Sequence, residues 1–142
     1  MSATVAEASE RVIYPAGGLR LYRHQQETWD ARRIHGHKRR IVNDHRGAGK
    51  DVVGLVDLLD AAIQEPGLYA YIAPTRQMAE NIAWHGVRAS DGEMYLSILP
   101  PQLVLDKNEA DLALEIATVH PGKRSRVLFL SGNEPKRLRG LP

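Results

Sequence analysis

Asp44-His45-Arg46-Gly47-Ala48-Gly49-Lys50-Asp51 lies between two segments of different character. Lys38 to Asn43, ending Arg40-Ile41-Val42-Asn43, reads as a short strand. Val52-Val53-Gly54-Leu55-Val56 reads as the start of a helix. A Gly-rich turn from strand to helix aims backbone N–H groups and a helix N-terminus at one point, which suits a chain of phosphates. The usual phosphate-loop pattern is G-x-x-x-x-G-K-[ST]. Gly49-Lys50 matches it, while Asp44 replaces the first Gly and Asp51 replaces the Ser/Thr. Read plainly, the same letters are a helix N-terminus with Asp51 in its first turn.

As a phosphate loop, Gly47, Ala48, Gly49, Lys50 and Asp51 cradle ATP phosphates with their amides, and Lys50 reaches the β/γ-phosphates. Arg46, three residues before Gly49, is placed to act on the γ-phosphate as an arginine finger in cis; the plainer alternative is a surface Arg beside Asp44. The last motif position normally offers a hydroxyl to Mg²⁺. A carboxylate there can hold the metal, because hard cations favour carboxylate oxygens, and it can equally repel the phosphates. Both outcomes for Asp51 stay open.

The chain of 142 residues suits one domain with a real core. Having no cysteine, it has no disulfide framework, thiolate metal site or cysteine nucleophile. No signal peptide is read at Met1 to Ala6, and no apolar run approaches a bilayer span, so no membrane partner is expected. The net charge of +2 is unevenly distributed. Residues 20 to 50 hold nine Lys/Arg against three Asp/Glu, a balance of +6. Residues 51 to 120 hold three against eleven, or −8, and residues 121 to 142 hold six against one, or +5. Two basic blocks brought together would make a surface for polyanions; kept apart, they are solvated strand flanks.

Residues 1–18 read as an irregular lead-in closed by Pro15-Ala16-Gly17-Gly18. A helix is expected from Leu19 to about Ile34, ended by Gly36. From Val52 to Ile63 almost every position is apolar, which predicts a buried helix with Asp57 and Asp60 on its solvent edge, stopped by Glu65-Pro66-Gly67. Leu68 to Ala73 is uniform enough for a central strand, followed by a helix to about Trp84 with Thr75 as N-cap. Met94 to Leu99 fits helix or strand. Leu112 to Thr118 and Ser125 to Leu130 read as strands of an antiparallel hairpin around Pro121-Gly122-Lys123.

Four pieces in this order resemble the ATPase domain of the large terminase subunit of tailed double-stranded DNA bacteriophages. Arg46-Gly47-Ala48-Gly49-Lys50-Asp51 is similar to that family's variant Walker A. Leu21-Tyr22-Arg23-His24-Gln25 is similar to its adenine-recognising Gln motif, with Arg23 in place of the usual Pro. Tyr71-Ile72-Ala73-Pro74-Thr75-Arg76-Gln77, ending in Trp84, is similar to its second strand and following helix. Ser131 to Gly140 is similar to the stretch ahead of the Walker B strand.

The resemblance implies an α/β fold of P-loop NTPase type over residues 19–142: a mainly parallel sheet flanked by helices, with an appended antiparallel hairpin. It implies ATP and Mg²⁺ as cofactors, Lys50 and Arg46 as catalytic groups, and Gln25 on adenine; Tyr22 beside it is the aromatic placed near a base. It implies an ATP-driven motor on double-stranded DNA, partnered by a portal and a small terminase subunit in the cytoplasm of an infected or lysogenic bacterium. No Asp-Glu Walker B strand follows Gly140. The expectation is therefore an N-terminal, incomplete portion of the domain, with little hydrolysis alone and an exposed strand edge favouring self-association. The alternatives are a helicase-like ATPase fragment, or a non-catalytic DNA- or protein-binding module with a degenerate loop. His35-Gly36-His37 lacks a third metal ligand nearby, and Trp29 and Trp84 read as packing residues.

Overall fold

The computed structural model describes residues 14–16, 19–37, 50–86 and 93–132. The strand expected at Lys38 to Asn43, the loop residues Arg46, Gly47, Ala48 and Gly49, and the stretch from Asn133 to Gly140 lie outside them. The elements are α1 (Arg23–Arg33), α2 (Lys50–Gln64), β1 (Leu68–Ala73), α3 (Arg76–Glu80), β2 (Val104–Asn108), β3 (Ala113–Ala117) and β4 (Arg124–Ser131). The architecture is α/β, with helices against a four-stranded sheet of order β1-β4-β3-β2.

The sheet is mixed, which corrects the mainly parallel expectation for the described residues. Among the described strands only β1 and β4 pair in parallel, with Leu68 opposite Arg126 and Ala73 opposite Ser131. β3 pairs antiparallel with both β4 and β2. The Pro121-Gly122 turn does make the expected hairpin, with Ala117 opposite Arg124 and Gly122 at φ +74°. That hairpin is no appendage, however, because β4 lies between β1 and β3. Its run Val127-Leu128-Phe129-Leu130 is buried on both faces, as a central strand must be. β1, expected in the centre, has a neighbour on one side only among the described residues, and its Ile72 is 55% exposed.

Alternation along the strands divides the apolar side chains between the two faces. Leu114, Ile116, Val127, Phe129 and Ala73 join the main core with Leu55, Val56, Leu59 and Ala62 of α2. Ala113, Leu128 and Leu130 form a smaller cluster with Ala70. The α2 helix is buried as its composition predicts. The last carbonyls of α2, which no helical N–H can reach, and that of Glu65 just beyond it are met from the sheet side. Ser125 Oγ donates to Ala62 O at 2.7 Å, Tyr69 O–H to Glu65 O at 2.7 Å, and Val119 N–H to Ile63 O at 2.9 Å.

α1 begins four residues later than expected, at Arg23. Gln25 replaces a conventional cap: its Oε1 accepts from Tyr22 N–H at 2.9 Å, satisfying a group at the helix start. Gly36, at φ +72°, ends the helix as expected, with its N–H on Arg32 O at 3.0 Å and that of His37 on Ala31 O at 2.8 Å. Thr75 caps α3 by accepting from Met78 N–H at 3.2 Å. The chain then widens into a π-helical turn, Asn81–His85. Met94 to Leu99 resolves into a single 3₁₀ turn, Tyr95–Ile98. Strand β2 was not expected; a turn in which Asn108 and Asp111 bond each other's polar groups joins it to β3.

Asp57 and Asp60 do not face solvent. Each is about 8% exposed, and both bond Arg32 of α1, Asp60 Oδ2 at 2.6 Å from Nη2. Trp29 Nε1 donates to the same Asp60 oxygen at 3.3 Å, and Arg33 lies 4.5 Å over the Trp29 ring. The polar edge of α2 is thus the joint between two helices. Each aspartate finds a cation 25 or 28 residues earlier in the chain, a pairing that helical periodicity cannot show.

Candidate functional site

Parallel strands in an open α/β sheet deliver ligands to their carboxyl ends, where helix N-termini also gather. The one parallel pair among the described strands, β1 with β4, ends at Ala73 and Ser131. Close to that end lies the first turn of α2. Tyr71, two residues before the end of β1, donates its phenol to Asp51 Oδ1 at 2.9 Å. The contact joins the helix that follows the Gly-rich run to the end of the strand that follows it. A cavity of about 230 Å³ is lined by Asp51, Tyr71 and Ala73 and by Pro74, Met78, Asn81, Ile82 and Tyr95 beyond the strand.

Local sequence explains the walls. Pro74 stops β1, Thr75 caps α3, and the helical and π turns present Met78, Asn81 and Ile82 to one side. Tyr71 points to the core face, its ring 6.0 Å from that of Phe129, which sits opposite it in the β1–β4 ladder. Burial pushes the Tyr71 phenol well above its ordinary range, and the Asp51 carboxylate adds to that effect. The phenol is the donor, and the Asp51 carboxylate receives a charge-assisted hydrogen bond.

Of the residues singled out in the sequence, Lys50 opens α2 and Asp51 follows it in the first turn. Arg46, Gly47, Ala48 and Gly49 fall outside the described residues. Gln25 is 5% exposed and engages Tyr22 N–H, so one of the two polar atoms an adenine contact would use already serves the helix start. Tyr22 is exposed, its ring stacked on that of His24 with centroids 5.9 Å apart. Tyr71 and Tyr95 line the cavity although the sequence gives neither a site role, Tyr71 entering only as the start of the second-strand resemblance. The only local signal is two tyrosines alternating in Leu68-Tyr69-Ala70-Tyr71, which reads equally well as strand packing.

Asp51 is a hard oxygen donor on the cavity wall. Mg²⁺ is usually held by one or two carboxylates together with substrate phosphates, so the residue fits that ion in kind. Among the described residues no group of three or more His, Cys, Asp or Glu is assembled for a metal. A second, wider cavity of about 550 Å³ is lined by Tyr14, Trp29, Arg32, Arg33, Asp60 and Gln64. Its cations are already paired, Arg32 with Asp57 and Asp60, and Arg33 with Asp30. It is a poor receptor for an anion.

Among the described residues no helix is long and apolar enough to cross a membrane. No family model, curated protein or solved structure matches the chain. The likeness to terminase motors rests on the quoted motifs alone.

Proposed function

We propose that this chain is the ATP-binding part of a viral DNA-packaging motor, with a fold of P-loop type. The observation that carries the reading is the position of Lys50-Asp51. The Gly47-Ala48-Gly49 run leads directly into the N-terminus of a 15-residue buried helix. The first turn of that helix meets the carboxyl end of a parallel strand through Tyr71 and Asp51. Helix dipole and strand end then act on the same region, an arrangement suited to polyphosphate. In this reading Lys50 and Arg46 act on the β/γ-phosphates and Asp51 serves Mg²⁺. The motor works on double-stranded DNA with portal and small terminase subunits, in the cytoplasm of an infected or lysogenic bacterium.

The test is equilibrium binding of a fluorescent ATP analogue to the wild-type chain and to Lys50→Ala. Loss of the ammonium should weaken binding by at least tenfold, the scale of one hydrogen bond to a charged group, about 1.5–3 kcal/mol. Equal binding by the two proteins would end the nucleotide reading and leave a DNA- or protein-binding module. For DNA, affinity should fall steeply with salt if phosphates are contacted.

A further inference from the structure

Resting on the nucleotide reading, we propose that Tyr71 is a positioning residue. With Asp51 it replaces the Ser/Thr hydroxyl that a phosphate loop ordinarily offers to Mg²⁺, Tyr71 holding the carboxylate and Asp51 taking the metal.

The motif departure at Asp51 poses a chemical problem. A full negative charge in the first turn of the phosphate helix attracts a divalent cation and repels the phosphates that the cation bridges. The Tyr71 phenol addresses the second effect. It reaches Asp51 Oδ1 at 2.9 Å from a different element, so the bond fixes the carboxylate against strand β1 as well as drawing charge from it. Among the described residues no hydrogen bond occupies Asp51 Oδ2. One oxygen is thus held by Tyr71, and in the proposed role the other would meet the metal.

The holder is itself rigid. Tyr71 is held in register opposite Phe129, with the two rings 6.0 Å apart. The pair borders the cavity of about 230 Å³ on the α2 side, while the other walls, Met78, Ile82 and Tyr95, offer no second carboxylate. One protein carboxylate, with the remaining ligands from phosphate and water, is an ordinary arrangement for Mg²⁺ on a nucleotide. The competing role is a staple between helix and strand with no part in metal binding.

The experiment titrates Mg²⁺ into each protein at a fixed concentration of fluorescent ATP analogue, and measures analogue affinity without metal. The proteins are the wild type, Asp51→Asn, Asp51→Thr and Tyr71→Phe. Asp51→Asn should bind the metal-free analogue at least as tightly as the wild type, since the repulsion is gone, yet lose most of the Mg²⁺ enhancement. Asp51→Thr should regain the enhancement through its hydroxyl. Tyr71→Phe should raise the half-saturating Mg²⁺ concentration by about tenfold, the scale of one charge-assisted hydrogen bond. A staple would destabilise both Tyr71→Phe and Asp51→Asn in urea but leave their Mg²⁺ dependence equal to the wild type's, which overturns the proposal while sparing the nucleotide reading. A wild type that binds no analogue, with or without metal, overturns both. Should Tyr71→Phe fail to fold, the exposed Asp51 substitutions decide the matter, because equal Mg²⁺ enhancement in Asp51→Asn and wild type is sufficient to refute it.

Discussion

Replacing Arg32 with Ala removes the cation shared by two buried carboxylates. The guanidinium donates to Asp57 and Asp60 at once, and the side chains are 26%, 12% and 11% exposed in that order. Burial alone would lower the guanidinium's proton affinity, but the two carboxylates more than offset it and hold Arg32 firmly charged. Removing one partner of a buried ion pair typically costs about 3–5 kcal/mol, because the other charge is left unpaired in a poor solvent. Here Arg32 keeps a quarter of its surface in water, which places the expected loss near the bottom of that range, about 3 kcal/mol. For a domain of this size that lowers the melting temperature by about 10 °C.

Urea and thermal unfolding followed by circular dichroism would measure the loss. The triple change Arg32→Met, Asp57→Asn and Asp60→Asn should recover most of it, since neutral groups of similar shape leave no uncompensated charge. The amide introduced by Asp60→Asn keeps a carbonyl oxygen that can still accept from Trp29 Nε1. Arg32→Lys should fall between, as an ammonium lacks the fork that spans both carboxylates. A loss below about 1 kcal/mol in Arg32→Ala would show that solvent, not Arg32, satisfies the aspartates. A triple variant as unstable as the single one would show that the lost packing of the Arg stem, not charge, is responsible.

Alkaline stability should depend on Tyr14, whose phenol donates to Val56 O and is pushed well above its ordinary range by burial first and by Asp60 and Asp57 next. A pKa raised on folding favours the native state fully below the unfolded value near 10, and that advantage changes as pH rises beyond it. The unfolded phenol then releases its proton while the folded one keeps it, so the native state loses ground with each pH unit. In urea melts from pH 9 to 11.5, Tyr14→Phe should therefore lose stability less steeply than wild type by up to about 1.4 kcal/mol per pH unit; parallel slopes would count against a buried phenol. Gly122 sits at φ +74° with open space where a Cβ would go, so Gly122→Ala should cost about 1–2 kcal/mol from backbone strain alone and Gly122→Asn less; equal stability of all three in the same melts would refute that cause.

What can be read from the sequence is what neighbours along the chain decide. The apolar run of α2, the stop at Glu65-Pro66-Gly67, the Thr75 cap and the Pro121-Gly122 hairpin each depend on a few adjacent residues, and each appears where expected. Expectation and structure part where distant pieces of the chain choose each other. Val127-Leu128-Phe129-Leu130 and Leu68-Tyr69-Ala70-Tyr71 both read as strands, and it is the pairing with other strands that puts the first in the centre of the sheet and the second at an edge of its described part. That choice is made by the parallel pairing of β1 with β4, Tyr71 against Phe129, across a long separation in the chain. Asp57 and Asp60 depart from expectation for the same reason: charge on a helix suggests water until a partner such as Arg32 is known.

Asp51 belongs to both categories, which is why its neighbours matter more than its identity. Alone in the sequence it is a mismatch to a motif and an ordinary helix-start residue. Placed against Tyr71, it becomes a carboxylate held from across the fold, at the carboxyl end of the sheet's parallel pair. An exposed charge with no task has little reason to be fixed by a phenol from another element, because exposed polar contacts contribute little to stability. The bond makes more sense as geometry than as energy. It sets where a charge points, and the phosphate site proposed for this loop, with a carboxylate in place of the hydroxyl, would depend on that direction.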